Sequence, residues 1–295
     1  MIPACPICPL SSEPSVTRTI VCYGYYRRKS DHRWIQRFKC KLCKKYFSNA
    51  THDICFRQLK RQFNQSVYEH LSSGVSQRRL AYLLRLNRKT IKRKFVFLGK
   101  LALLELKTRN LQFQKSICFE FDDLETFEHS KCKPLSVTLA VEEKTRRILG
   151  FAVAQMPCKG RLASKSLKKY GPRKDYRSQA RRRLFKNLQN LVTPTAIIKS
   201  DQNPHYPNDV KKYFPQATHI AFKGRRGAIV GQGELKKIKF DPIFSLNHTC
   251  AKLRADINRL IRKTWCTTKL RKRLVLHLAL YATYHNHSLL AKKRV

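Results

Sequence analysis

Ser116-Ile-Cys-Phe-Glu-Phe-Asp-Asp-Leu-Glu-Thr-Phe-Glu128 carries two patterns at once. Its first six residues alternate as a strand does. Glu120, Asp122, Asp123, Glu125 and Glu128 then place five of the chain's 18 acids within nine positions. Downstream, Pro134–Val141 and Ile148–Gln155 read as two more strands, joined by Glu142-Glu-Lys-Thr-Arg-Arg147 as a hairpin turn. A helix at about 178–191 leads to a short buried strand, Thr195–Lys199, that ends at Ser200-Asp201, and His219–Lys223 is a further strand. Gly224–Lys239 reads as a loop. Asp241-Pro242 opens a long helix as N-cap and first-turn proline, with Leu246, Leu253, Ile257, Leu260 and Ile261 on its buried face. A final helix covers Thr268–Tyr284. Residues 116–295 therefore predict an α/β (α+β) domain.

The acidic run stands in a basic field. The 295 residues hold 63 Lys and Arg against 18 Asp and Glu, a net charge of +45. Nucleic acid is the first partner such a charge implies, through counterion release on phosphate contact. An acidic spot inside that field would bind divalent metal and repel bare phosphate. The basic, aliphatic-poor insertion 158–185 reads either as a solvated loop or as a clamp on a DNA backbone. No apolar run approaches the roughly 18 residues of a membrane-spanning helix, so no membrane partner is expected. Met1-Ile-Pro-Ala-Cys5 lacks the pattern of a signal peptide. Eleven cysteines, several in apolar runs, do not read as a disulfide framework and fit a reducing cytosol.

Residues 1–56 are too poor in aliphatics to fold on a core alone. Cys5-Pro-Ile-Cys8 and Cys40-Lys-Leu-Cys43 are two C-x2-C knuckles separated by 31 residues. Two residues between cysteines let both thiolates reach one ion, and four thiolates close a tetrahedral structural zinc site with no open position. Thr17–Arg27 and Trp34–Lys39 are the extended stretches a zinc ribbon needs between its knuckles, and Cys22 reads as a strand residue. Trp34, Arg37, Phe38, Lys39, Lys41, Lys44, Lys45 and Tyr46 mix base with aromatics, which suits DNA contact.

Residues 57–106 read as helical. Ser76 caps a short helix to Leu84, Arg85-Leu-Asn87 turns, and Arg88–Phe95 forms a second helix. Ala81 sits at the crossing and Ile91 in the packed face. This is a helix-turn-helix, with Arg88, Lys89, Lys92 and Arg93 facing DNA. Lys107–Lys115 is the expected linker to the α/β domain.

Asp122 and Asp201 each end an apolar strand, and strand-end carboxylates on neighbouring strands can share a cation. With these residues the chain resembles bacterial insertion-sequence transposases of the InsAB type, the family of insertion sequence one, over almost its whole length. Cys5–Cys8 and Arg37–Phe47 are similar to that family's zinc-finger portion. Asp122-Asp-Leu-Glu-Thr-Phe127 and Lys199-Ser-Asp-Gln-Asn-Pro-His-Tyr206 are similar to its two catalytic Asp blocks. Leu253–Thr264 is close to its signature helix. The resemblance implies a ribonuclease-H-like catalytic domain in a bacterial, nucleoid-associated cytoplasmic protein. It also implies a homo-oligomer on double-stranded DNA that binds its element's ends, with strand cleavage and transfer on two Mg²⁺ ions held by Asp122 and Asp201. Arg254 would position backbone phosphate. Where the family carries its third catalytic Glu, seven residues before Arg254, this chain has Asn247. Three readings stand: Asn247 with His248 beside it serves as third ligand; Glu234 or Asp241 swings in; or the copy is a weakened enzyme acting as a DNA-binding regulator.

Overall fold

A computed structural model describes residues 2–8, 19–223, 241–261 and 267–292. Residues 224–240, with Glu234 and the stretch read as a loop over Gly224–Lys239, lie outside the described residues, as do 262–266 of the signature segment. The chain divides into two compact units, 1–66 and 67–295.

In the first unit, β1 (Ile20–Arg27), β2 (Trp34–Cys40) and β3 (Tyr46–Ser48) form an antiparallel sheet in that order. The expected strand positions hold to within a few residues. The apolar core is small: Ile20, Phe38 and Phe47 pack with Cys5 and Cys40, and with the half-buried Cys8 and Cys43. So few side chains supply little burial free energy, which is why the cysteines must contribute more than packing.

The second unit begins with α1 (Asn64–Ser72, whose first residues precede the division), α2 (Gln77–Leu83) and α3 (Arg88–Leu111). Ser76 is the cap read from sequence, its Oγ accepting from the Arg79 amide. Asn87, read as a turn residue, also caps the second helix, its Oδ1 accepting from the Lys89 amide. Leu80, Ala81, Ile91 and Phe95 are buried between the helices. The second helix is far longer than expected. It runs through most of the stretch read as a linker, because Lys107–Leu111 holds charged and polar residues but no glycine or proline to stop it. No boundary falls near residue 106 either. Asn110, read as part of the linker, is buried and donates to the Ile148 and Leu149 carbonyls.

Helix α3 also packs on α8 (Arg271–Lys292) at a glycine. A Cβ built on Gly99 would lie 2.7 Å from Leu276 Cβ. Gly99→Ala should therefore destabilise the protein by about 1–2 kcal/mol despite alanine's better helix propensity, because overpacking outweighs it. Urea unfolding of the two proteins checks this, and a more stable alanine variant would contradict the close approach.

The five-stranded sheet has the order β6-β5-β4-β7-β8. β4 (Ser116–Phe127), β5 (Pro134–Glu142) and β6 (Ile148–Gln155) form an antiparallel meander. β7 (Val192–Asp201) and β8 (Thr218–Phe222) continue it in parallel with β4. Pairing between β4 and β7 slips between Ser116 and Cys118, opposite the segment that contains Pro194, which has no amide to give. Helices α5 (Arg177–Leu188) and α6 (Tyr206–Tyr213) belong to one face, whose core includes Phe119, Phe121, Phe185, Ile198 and Tyr206. Helices α7 (Phe244–Asp256) and α8 belong to the other, with Leu124, Leu135, Leu139, Leu246, Leu253 and Leu278. The observed class is mixed α/β.

Three expectations change. Asp241-Pro242 does not open α7: Asp241 Oδ1 accepts from the Ile243 amide in a turn, and the helix starts at Phe244. Its end also comes early, so Ile257 and Leu260 are buried from the turn that follows. The insertion 158–185 is not a bare basic loop, since it contains α4 (Ala163–Tyr170) and most of α5. Within it Arg181, read as a candidate DNA clamp, is 2 % exposed and paired with Asp209 of α6. No described helix is long and apolar enough to cross a membrane.

Candidate functional site

The four cysteines of the knuckles converge. Their sulfurs lie within 4.8 Å of one another, with Cys5–Cys43 at 3.6 Å and Cys8–Cys40 at 3.9 Å. Amides of Cys43 and Leu42 point at Cys40 and hold its thiol down to about 7, as a knuckle does for a metal-bound thiolate. Such a cluster could hold a metal ion such as zinc. Cys22 stands apart and accepts from Gln36 instead.

The acidic site lies at the end of the parallel pair β4–β7. Their last paired rung is Glu120–Lys199, and Asp122 and Asp201 stand two residues beyond it on each strand. Alternation puts Glu120 and Asp122 on one face of the sheet. The α7 side is fixed by Glu120 Oε2, which accepts from the Leu246 amide at 2.6 Å. Glu120 thereby caps α7 across space, where Ile243 offers no side-chain cap. Burial raises Glu120 to about 7, with the charges of Glu143 and Asp241 adding to it.

Asp122 is pushed up to about 6, first by burial and then by the charge of Asp201. Asp201 is raised as well, by burial and by the charge of Asp123. Two carboxylates held this way are destabilised as anions, which is the state a cation relieves. Asp122 Oδ1 accepts from the Asp123 amide at 2.7 Å and from the Tyr206 hydroxyl at 3.0 Å. Among the described residues, Oδ2 makes no hydrogen bond.

Tyr206 was not singled out by sequence. It opens α6, buries its ring against Phe121 at 4.7 Å, and lies under the Arg181 guanidinium at 4.9 Å. Arg181 Nε donates to Asp209 Oδ2 at 2.8 Å, and Arg182 Nε to Asp209 Oδ1 at 2.9 Å. The path Asp209–Arg181–Tyr206–Asp122 is therefore continuous, and it fixes the rotamer of one carboxylate of the pair. The only sequence signal was Tyr206's place five residues after Asp201.

The remaining acids of the opening run have structural partners. Asp123 Oδ1 accepts from the Thr138 hydroxyl, and Glu128 Oε1 caps α8 at the Arg271 amide, 2.8 Å away. The charges of Asp123 and Glu125 both act on Arg177.

Asn247 is exposed and donates its amide to Asp241 Oδ2 at 2.8 Å. His248 lies instead against Arg146, 3.2 Å away. Leu246 meets Glu120, so α7 passes Asp122 further along, and the Cys250 thiol of α7 is pushed up first by burial and then by the Asp122 charge. Arg254 is exposed one turn on and acts on the same thiol. Asn247, Ala251 and Arg254 are exposed along α7, whereas Asn258, at the next step of that spacing, is half-buried beyond the helix end.

On α3, Arg88, Lys89, Lys92 and Arg93 are all exposed. Lys89, Lys92, Arg93 and Lys100 line a groove of about 570 Å³ with Val96, Phe97 and Arg273 of α8. Its lining holds five cations and no acid, a charge that would suit phosphate. Compared with protein-family models and with curated proteins, the chain matches none.

Proposed function

We propose that the chain is a DNA transposase: a zinc ribbon and a helix-turn-helix that bind the ends of a mobile element, joined to a ribonuclease-H-like domain that cleaves and transfers strands. One observation carries the reading. Asp122 and Asp201 sit level with each other just past the last paired rung of the parallel strands, each raised by burial and acidic neighbours. Asp201 is the last residue of β7, whereas Asp122 lies within β4, which runs on to Phe127 beside β5 rather than ending at Asp122. Sheet order β6-β5-β4-β7-β8, antiparallel then parallel, with helices on both faces, supports the ribonuclease-H-like part.

Asp122 and Asp201 would hold the Mg²⁺ ions, which supply Lewis-acid polarisation of the phosphate and charge neutralisation in phosphoryl transfer. Tyr206 and the Asp123 amide hold Asp122 Oδ1, so that Oδ2 faces the site. Glu120 ties α7, and with it Arg254, to the strand that bears Asp122. The cations of α3 bind duplex phosphate and let the first helical turn approach base edges. Partners are then double-stranded DNA and a second copy of the chain on paired ends.

The test is Mg²⁺-dependent nicking or strand transfer on DNA carrying the element's ends, with wild type and Asp201→Asn. Cleavage by wild type alone is expected; equal cleavage by both would remove Asp201 from the mechanism. A second reading, a DNA-binding regulator with a silent catalytic domain, is favoured by Asn247, which adds no third charge and is engaged by Asp241. It predicts binding to the ends by wild type without cleavage.

A further inference from the structure

The three-stranded sheet of the first unit has one face turned to its cysteine core and another turned to solvent. Register assigns the open face. Ile20–Cys40 and Cys22–Phe38 pair on the core side, whereas Val21–Lys39 and Lys39–Tyr46 pair on the other. Large side chains nevertheless stand on the open face. Tyr23 is 48 % exposed and Tyr46 54 % exposed, with ring centroids 4.7 Å apart. The Arg37 guanidinium lies 5.7 Å from the Tyr23 centroid, and Lys39 Nζ 5.4 Å from that of Tyr46. Two touching rings, tilted 51° to each other, thus form an aromatic patch with one cation over each ring.

No acid offsets it. Among the described residues of this unit the carboxylates are Asp31 and Asp53, and both are engaged by Arg28 or Arg61 rather than by Arg37 or Lys39. The occupant must therefore be anionic and must offer flat apolar surface. In duplex DNA the base faces are covered by their neighbours, and only edges and phosphates are on offer. Unpaired bases expose those faces, stack on aromatic rings, and bring phosphates for the cations.

We infer that this face binds single-stranded DNA, with an unpaired base on the Tyr23–Tyr46 patch and flanking phosphates on Arg37 and Lys39. The inference goes beyond the catalytic reading and stands whether or not Asp122 and Asp201 cleave DNA. In a protein that cuts duplex ends, such a face would hold a frayed or displaced strand.

The experiment uses the zinc-loaded full chain and fluorescence anisotropy with two probes: a short oligo-thymidine and a duplex of equal length and unrelated sequence. Tyr23→Ala/Tyr46→Ala should weaken single-strand binding by roughly tenfold or more, since one stacked base contributes that much. Duplex affinity should change little, and Tyr23→Phe/Tyr46→Phe should bind as wild type. Unchanged single-strand binding in the alanine pair would overturn the inference. So would an equal loss on both probes, which would make the face a duplex-backbone surface. If the alanine pair fails to retain zinc, Tyr23→Leu/Tyr46→Leu, which keeps apolar bulk without a π face, decides on the same criteria.

Discussion

Asp122→Asn should abolish DNA cleavage and at the same time stabilise the metal-free protein. Loss of one carboxylate from a two-carboxylate cation site should cost on the order of a thousandfold in rate, about 4 kcal/mol of barrier. The stability effect follows from the raised pKa of about 6, against an ordinary 3.8. A carboxyl raised by the fold stabilises the native state only while protonated. That contribution is complete below about pH 4 and is lost as pH rises through about 6. Near neutral pH the ionised, metal-free Asp122 therefore costs the fold about 2–3 kcal/mol relative to a neutral isostere. Asparagine retains an oxygen for the Tyr206 hydroxyl and the Asp123 amide, so the two hydrogen bonds survive. Urea unfolding in the presence of a chelator should show the variant more stable than wild type near neutral pH, with the gap closing toward pH 4. A variant less stable at every pH would mean that Asp122 is a structural anion.

The second large effect belongs to the cysteine cluster. Cys40→Ser removes a ligand whose sulfur receives two backbone amides and lies at 0 % exposure. Among the described residues, its cluster holds only Ile20, Phe38 and Phe47 as buried neighbours besides the cysteines themselves. Structural zinc supplies roughly 10–16 kcal/mol in comparable small sites, far more than those three side chains provide. Zinc content should fall from one per chain to near zero, and proteolysis should then cut within the first 66 residues while the rest stays protected. Unchanged zinc content and protection would show that the four sulfurs do not form the site.

Much of the fold was legible because local pattern and burial agree. The strands Pro134–Val141 and Ile148–Gln155 are punctuated by a charged turn and are largely buried, and Ser76 is a cap with unambiguous chemistry. Of the acidic run, Asp123 takes a cross-strand hydroxyl from Thr138 and Glu128 caps α8, pairings that its local sequence does not specify. What local pattern could not carry was everything set by packing at long range. Lys107–Leu111 looks polar in sequence and is helical because Asn110 finds carbonyls of β6. Arg181 looks like one cation among many and is buried because Asp209 neutralises it. Asp241-Pro242 has the composition of a helix start, but the cap comes from Glu120, more than a hundred residues earlier in the chain. Tyr206 was missed for the same reason.

Mn²⁺ binding, followed by electron paramagnetic resonance on the zinc-loaded full chain, tests the pairing of Asp122 with Asp201 most directly. The account predicts saturable Mn²⁺ binding to wild type, competed by Mg²⁺, and its loss in both Asp122→Asn and Asp201→Asn. Wild-type binding that persists unchanged in either variant would contradict it.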